Sequence, residues 1–313
     1  VHRKARYWTS DGAVYRHILA HFLSKTDRYT SDIYKLTVLN SFTITPISHI
    51  GETCMQGIKD KKVLITAGAT GIGKATAIAM MKAGAQVHVC DIDDQALASF
   101  KQDYPLLLTS VTNVTKPDEV AEMFVQLQQN FSGKLDFLVN NAGVSGPAGP
   151  IETLDIEQWK ATFDVNLHAT FYVSKHAIPL IKQHGGAIMN LSSTAGLFGY
   201  PLRSPYASAK WAIVGLSKTM AMELGPFNIR VNCICPGSVN GERMDRVISS
   251  IAQATGESLE KVREDNVKNT SMTTFVDADD IANMIVFSFC DLGAKISGQS
   301  LTVDGDTHSL ATY

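Results

Sequence analysis

Seven short apolar runs alternate with stretches of helical spacing along most of this chain, and that alternation narrows the possible folds more than any other feature. The runs fall at 63–66, 87–90, 106–109, 135–139, 187–191, 230–234 and 300–303. Runs of this length suit strands buried on both faces. Strands that alternate with helices form a parallel sheet, because the chain must cross back over the sheet before each new strand. The expectation is an α/β fold, a parallel seven-stranded sheet with helices on both faces. Helices are expected from the glycine-rich turn to about Ala83, after Asp91, from Thr115, around 155–182, and from about Tyr206 to Leu224. Thr115, with Asp118 three residues on and Pro117 in the first turn, reads as a variant capping box.

The turn after the first run carries the first chemical signal. Residues 66–73 read T-A-G-A-T-G-I-G, between an apolar run and a helix. Glycines there let the backbone approach a pyrophosphate, and the helix N-terminus attracts its negative charge. A glycine-rich string alone is weak evidence. Its weight grows because Asp91 lies 20 residues after Gly71, at the end of the second run. A carboxylate placed there accepts hydrogen bonds from a dinucleotide's ribose hydroxyls and repels a 2′-phosphate. Thr70 and Ile92 stand where a cation would otherwise receive that phosphate, so NAD is expected over NADP. The plainer reading is a tight turn, with Asp91 capping a strand end or the next helix.

Tyr206 and Lys210 are spaced i, i+4, which places phenol and ammonium on one helix face. A free tyrosine titrates near ~10, and a fixed positive charge beside it favours the phenolate. Such a pair can give a proton to a forming alkoxide or take one from an alcohol. With nine tyrosines, chance supplies about half of one such spacing at ordinary lysine frequency. Context adds weight. Ser192 and Ser193 end a buried strand, at the sheet edge where open α/β folds bind ligands. Ser193 there is suited to polarise a carbonyl. A serine pair in that place also caps helices and turns.

From about Gly57 to Gly305 the chain resembles the short-chain dehydrogenase/reductases. The resemblance is carried by the glycine-rich turn, N-N-A-G at 140–143, N-L-S-S at 190–193, Y-x-x-x-K at 206–210 and Pro236-Gly237, in that order. Ser193 stands 13 residues before Tyr206, as the family pattern requires, and Asn166 matches the family's fourth catalytic residue. The resemblance implies a doubly wound Rossmann fold and hydride transfer between NAD(H) and an alcohol or carbonyl substrate. Tyr206 is then the general acid/base, and Lys210 lowers its pKa and binds the nicotinamide ribose. Ser193 orients the substrate oxygen, and Asn166 holds a water in a proton relay behind Lys210. Cofactor contacts are implied at Gly68, Thr70, Gly71, Ile72, Gly73, Asp91, Ile92, Asn113 and Val114. They continue at Asn141, Ala142 and Gly143 on the adenosine side and at Pro236, Gly237 and Val239 beside the nicotinamide. Hydride passes directly to the substrate carbon, so no metal is expected. Family members are commonly homotetramers, and a homo-oligomer is expected here. Related folds also carry out NAD-dependent epimerase or dehydratase chemistry, and a non-catalytic NAD-binding regulator is a further alternative. The complete set Asn166, Ser193, Tyr206 and Lys210 speaks against the latter.

Some positions depart from the pattern. Ala67 stands at the usual first glycine, with Gly68 next to it, and the turn is expected to form nonetheless. Asn113 replaces an aspartate beside the adenine. Gly241 replaces the threonine that holds the carboxamide, leaving Ser238, Asn240 or the backbone for that contact. The stretch 238–275 is expected to be a substrate lid. Its Arg243, Arg246 and Arg263, with Arg203 ahead of Tyr206, are either anion contacts or a solvated face. The solvated face is favoured for the lid. Met244, Val247, Ile248 and Ile251 at helical spacing either pack or line a pocket.

With 45% apolar and 19% charged residues the chain can bury a sizeable core. A net charge of −2 gives no reason to expect nucleic acid or an anionic membrane as partner. The five cysteines are odd in number, include no C-x-x-C pair, and read as reduced, mostly buried thiols of a cytoplasmic protein. No apolar run reaches the ~18–20 residues of a membrane span. Arg3, Lys4 and Arg6 are not followed by the apolar segment of a secretory signal. Residues 1–54 differ from the rest, with four of nine tyrosines, two of 23 glycines and no methionine. They read as an added arm, as a targeting peptide weakened by Asp11, Asp27 and Asp32, or as upstream sequence before a true start at Met55. The expected division is therefore 1–54 as an extension and 55–313 as one catalytic domain.

Overall fold

Each apolar run ends as a strand wherever both of its faces find a partner. The computed structural model describes residues 56–310, which lie in one compact unit; the readings made for residues 1–54, Cys54 included, fall outside them. The chain runs β1 (Lys62–Thr66), α1 (Gly71–Lys82), β2 (Gln86–Asp91), α2 (Asp94–Asp103), β3 (Leu108–Val111), α3 (Pro117–Asn130) and β4 (Phe137–Asn140). It continues through α4 (Ile156–Phe163), α5 (Ala169–Ile181), β5 (Gly186–Leu191), α6 (Ser204–Leu224) and β6 (Ile229–Pro236). The stretch expected to form the lid follows as α7 (Glu242–Thr255) and α8 (Leu259–Asp265), then α9 (Ala278–Phe289) and β7 (Ser300–Val303). The seven strands form one sheet in the order β3-β2-β1-β4-β5-β6-β7, with every pairing parallel. This is the expected doubly wound Rossmann arrangement.

Strand pleating divides the core in two. Val63 and Ile65 of β1 join Val87, Val89, Val139 and Met189 on the face covered by α1, α2 and α9. Leu64, one residue out of phase, joins Leu138, Ile188 and Val231 on the face covered by α3, α5 and α6. Fully burying one such side chain stabilises the fold by about 1.5–3 kcal/mol. On the first face the rings of Phe137 and Phe289 stack at 4.7 Å, tying β4 to α9. Chain order reverses beside β1, which has β2 on one side and β4 on the other. A crevice opens at the carboxyl ends of strands at such a switch point.

Three local expectations need correction. Leu106 is turn, not strand: it is 93% exposed, and Leu107 N–H donates to the Tyr104 carbonyl, so β3 starts two residues late. Thr115 caps nothing. Asn113 Oδ1 accepts from both the backbone N–H and the hydroxyl of Thr115, and the α3 N-cap is Lys116, with Pro117 in the first turn. The asparagine claims the threonine because an Asx turn closes locally before the helix begins. The helical stretch around 155–182 is interrupted by a π turn, Asp164–His168, between α4 and α5. No helix among the described residues is long and apolar enough to cross a membrane.

Candidate active site

The glycine-rich turn links β1 to α1 under close constraint. Gly71 has φ +53, and a Cβ built on it meets nothing within 4 Å, so the backbone faces open space there. Gly73 is the opposite case: a Cβ would stand 2.6 Å from the Ala67 carbonyl oxygen and from Asn141 Nδ2. Ala67 sits at φ +48, a left-handed conformation that costs a non-glycine residue roughly 1 kcal/mol. The turn expected to survive the change from glycine forms, but under strain. Asn141 supports it: Nδ2 donates to the carbonyls of Thr66 and Ala67, at 3.0 and 2.8 Å. Thr66 Oγ1 in turn accepts from the backbone N–H groups of Asn141 and Ala142. The Asn141 side chain is thus occupied in holding the turn.

Asp91 ends β2 beside this turn. Its Oδ2 accepts from Ala69 N–H at 3.0 Å and its Oδ1 from Asp93 N–H at 3.2 Å. Asp91 thus ties the strand end to the glycine-rich turn, whereas the N-cap of the next helix is Asp93, and the Asp91 carboxylate keeps further lone pairs. Among the described residues no Lys or Arg pairs with Asp91, Thr70 is exposed and Ile92 is 69% exposed. Asn113 Oδ1 is held by Thr115, so only its amide N–H groups remain for a ligand.

On the other side of the switch point, the carboxyl end of β5 meets the first turns of α6. Ser193 Oγ accepts from Ala195 N–H at 3.1 Å, capping a short 3-10 turn. Lys210, only 3% exposed, donates from Nζ to the Leu191 carbonyl at 2.8 Å, with Nζ 5.7 Å from the Tyr206 ring centre. Ser192 Oγ donates to the Lys210 carbonyl, fixing α6 against β5. Burial pushes the Tyr206 phenol up. The charges of Lys210 and Arg243, the Ser193 hydroxyl and the charge of Arg203 outweigh it, and the phenol lies below its ordinary 10.0. Burial also lowers the Lys210 ammonium, partly offset by the phenol.

Asn166 enters from the π turn, a distortion that often marks functional sites. Its Nδ2 donates to the carbonyls of Val144 and Thr162, at 2.9 and 2.8 Å. Its Oδ1 is buried and accepts no hydrogen bond among the described residues. A Cβ on Gly143 would stand 2.9 Å from that oxygen and 3.3 Å from Lys210 Nζ, so both groups face the same backbone atom. The four expected catalytic residues therefore converge from three separate elements.

The lid shows which expected residues act elsewhere. Gly241 has φ +133, which a threonine there would rarely adopt. Asn240 Nδ2 donates to Asp277 Oδ1 and its Oδ1 accepts from Arg263, while Ser238 Oγ turns to the Asn266 carbonyl. Val239 bridges Val276 through its neighbours' backbone groups, which leaves its own N–H and carbonyl pointing away from that bridge. Met244, Ile248 and Ile251 pack with Ala252, Val262 and Phe275 inside the lid. A cleft of about 490 Å³ lies between the loop 143–148, Arg203, Arg243, Arg246 and Val247. Sequence reading had no signal for the Arg243 approach to Tyr206, at 6.0 Å from the ring centre, because the two lie on different elements. Among the described residues no group of three or more His, Cys, Asp or Glu is placed to hold a metal.

The family model for enoyl-(acyl carrier protein) reductases matches residues 66–308. The 3-oxoacyl-(acyl-carrier-protein) reductase of Thermotoga maritima is 33% identical over 253 residues, 79% of this chain and 98% of the relative. An NAD+-bound xylitol dehydrogenase is similar in structure, with TM-score 0.75, 28% identity, and coverage of 80% of this chain and 100% of the other. The L-sorbose reductase of Gluconobacter frateurii, complexed with NADPH and L-sorbose, has TM-score 0.74, 26% identity, and coverage of 80% and 97%.

Proposed function

This chain belongs to the short-chain dehydrogenase/reductase family and is an NAD(P)-dependent oxidoreductase of alcohol or carbonyl substrates, and from that premise we propose that it works with NAD, through Tyr206 as acid/base. The observation that carries the reading is Tyr206, its phenol lowered by neighbouring charge, beside the buried Lys210. The open backbone at Gly71 and the lack of an acidic residue in the first turn of α1 fit a dinucleotide. Gly68, Thr70, Gly71, Ile72 and Gly73 would hold its pyrophosphate at the α1 N-terminus. Asp91 and Ile92 would meet the adenosine ribose, and Asn113 and Val114 the adenine. Ala142 and Gly143 would line the path, with Asn141 behind them. Pro236, Gly237 and the free backbone groups of Val239 would flank the nicotinamide in place of the missing threonine. The unpaired Asp91 favours NAD, since a 2′-phosphate would meet a carboxylate and no compensating cation.

When bound, the nicotinamide supplies or accepts the hydride. In the oxidising direction the Tyr206 phenolate takes the substrate hydroxyl proton, and in reduction the phenol returns it. Lys210 stabilises the phenolate by its charge. Ser193, already oriented by Ala195, donates to the substrate oxygen. The buried Oδ1 of Asn166 is a ready acceptor for a water that passes the proton onward from Lys210. A homo-oligomer and a cytoplasmic location complete the reading. Exposed Phe171 on α5 and Trp211 and Met222 on α6 offer apolar surface for the first, and the four cysteines among the described residues, free and buried, suit a reducing compartment.

Tyr206→Phe tests the assignment. It should lower kcat by about 10²–10⁴-fold while NADH still binds, and NADH should bind more tightly than NADPH. Intact turnover of any alcohol or ketone would remove Tyr206 from the chemistry, and tighter NADPH binding would remove the NAD preference.

A further inference from the structure

The cleft between the loop 143–148 and α7 is lined by three arginines, Arg203, Arg243 and Arg246, and by no Asp or Glu among the described residues, and Arg243 links it to Tyr206. Three guanidinium groups facing one concave space repel each other unless an anion joins them. Their surroundings show that this anion is not supplied by the described residues. Arg203 Nη2 donates to the Ser145 carbonyl at 2.9 Å, and Arg243 Nη1 approaches the Gly143 carbonyl at 3.4 Å. Each uses one donor on the loop 143–148 and neither meets a carboxylate. Arg203 Nε is buried and has no acceptor, a costly state for a charged group unless a ligand provides one. Arg246 lies 3.7 Å from Glu242, but both are exposed and such a pair holds weakly.

Arg263, nearby in the same lid, shows what a structural arginine looks like here. It pairs with Asp245 at 3.1 Å, donates to Asn240, and covers the Phe275 ring at 4.6 Å. Both of its terminal nitrogens meet side-chain oxygens, and it does not line the cleft. The contrast separates the lid's arginines into one that builds the lid and two that face the cleft.

We propose that the substrate is a small hydroxy acid or oxo acid, its carboxylate held by Arg203 and Arg243, with Arg246 at the mouth of the cleft, while its reacting oxygen meets Tyr206. The inference rests on the hydride-transfer reading above and names the substrate class of the same site. Guanidinium groups fit carboxylates in a planar, two-pronged way, which fixes orientation as well as charge. Arg243 stands 6.0 Å from the Tyr206 ring centre, so carboxylate and reacting carbon are only a few bonds apart. That spacing suits a short acid and not a long acyl chain carrying its charge at the far end.

The test uses the full chain with saturating NADH. Reduction of 3-oxobutanoate is compared with that of the neutral 4-hydroxy-2-butanone, and binding of malonate with that of malonamide, followed by NADH fluorescence. The acid should be preferred at least ~100-fold in kcat/KM, and malonate should bind where malonamide does not. Arg243→Gln and Arg203→Gln should each reduce that preference about ten-fold or more, through KM, because each removes a charged hydrogen-bonding partner. Equal use of acid and neutral ketone, or equal binding of malonate and malonamide, overturns the proposal. So does a pair of variants that weaken NADH binding and both substrates alike, since the guanidinium groups would then be holding the cofactor's diphosphate. Malonate binding to the NADH complex without turnover of any substrate would leave the anion site standing and defeat the hydride-transfer reading instead.

Discussion

The Tyr206 phenol is lowered by neighbours from three stretches of chain: Lys210 one helical turn on, Ser193 at the end of β5, and Arg203 and Arg243 on either side of α6 in sequence. Burial alone would raise the phenol, and the surrounding positive charge reverses that. With Tyr206 as the proposed base the phenolate is the active form in alcohol oxidation, so kcat/KM should rise with pH along a limb set by this group, below the 10.0 of free tyrosine. Arg243→Gln removes a positive charge and so disfavours the phenolate. The limb should therefore move to higher pH, measured with a neutral secondary alcohol to keep substrate charge out of the profile. A limb that stays put or moves down would mean that Arg243 does not act on Tyr206. At this scale the sequence shows the Tyr206–Lys210 pair, because i, i+4 spacing on a helix is a contact. The 37 residues from Tyr206 to Arg243 carry no comparable rule, since the lid's placement decides the approach. The strain at Ala67 was similarly hidden, because the alanine itself gives no sign of its φ.

The elements carry a second set of motif residues whose work is structural. Asn140 and Asn190 face each other in the β4–β5 register. Asn140 Nδ2 donates to Asn190 Oδ1 at 2.8 Å and to Ser174 Oγ on α5, and Asn190 Nδ2 donates to Ser217 Oγ on α6. One polar chain thus ties two central strands to two helices inside the core, with Asn190 wholly buried. Both asparagines stand in the sequence close to expected site residues, Asn140 before the cofactor contacts and Asn190 before Ser193, and only the sheet register shows that they bond each other. Asn190→Leu should destabilise the fold by about 2–4 kcal/mol, because it leaves the Asn140 amide short of an acceptor and adds bulk to a filled core. Urea denaturation would measure it, and a loss below about 0.5 kcal/mol would show the chain to be dispensable. Elements whose boundaries depend on burial were legible to within a residue or two. The π turn at Asp164–His168 was not, since a single extra residue in a helix leaves no periodic mark, yet it is what turns Asn166 inward.

At the scale of the whole molecule, the parallel order of seven strands follows from apolar alternation, and the site follows from the order's reversal beside β1. The cleft was less legible, because its lining comes from the loop 143–148 and the lid, where no period constrains the chain. The seven strands of the sheet, both main core clusters and all four catalytic candidates lie within residues 56–310. The first residues of that span belong to the fold. Ile58 is fully buried among Met80, Phe289 and their neighbours, and Asp60 N–H donates to the Gly84 carbonyl. The Gln56 carbonyl accepts from Asp291 N–H, and Asp136 holds both Lys61 Nζ and Lys62 N–H. A chain beginning at Met55 keeps all of these contacts and should unfold in one cooperative transition, with NADH binding within about two-fold of the full chain. A chain beginning at Lys61 loses Ile58 and the contacts to Gly84 and Asp291. It should be less stable by about 2.5–6 kcal/mol, from one buried isoleucine and two hydrogen bonds. Thermal and urea unfolding of the two truncations separates the outcomes. Equal stability would place the edge of the domain beyond Ile58, and collapse of the longer one would show that residues before Met55 are part of its core.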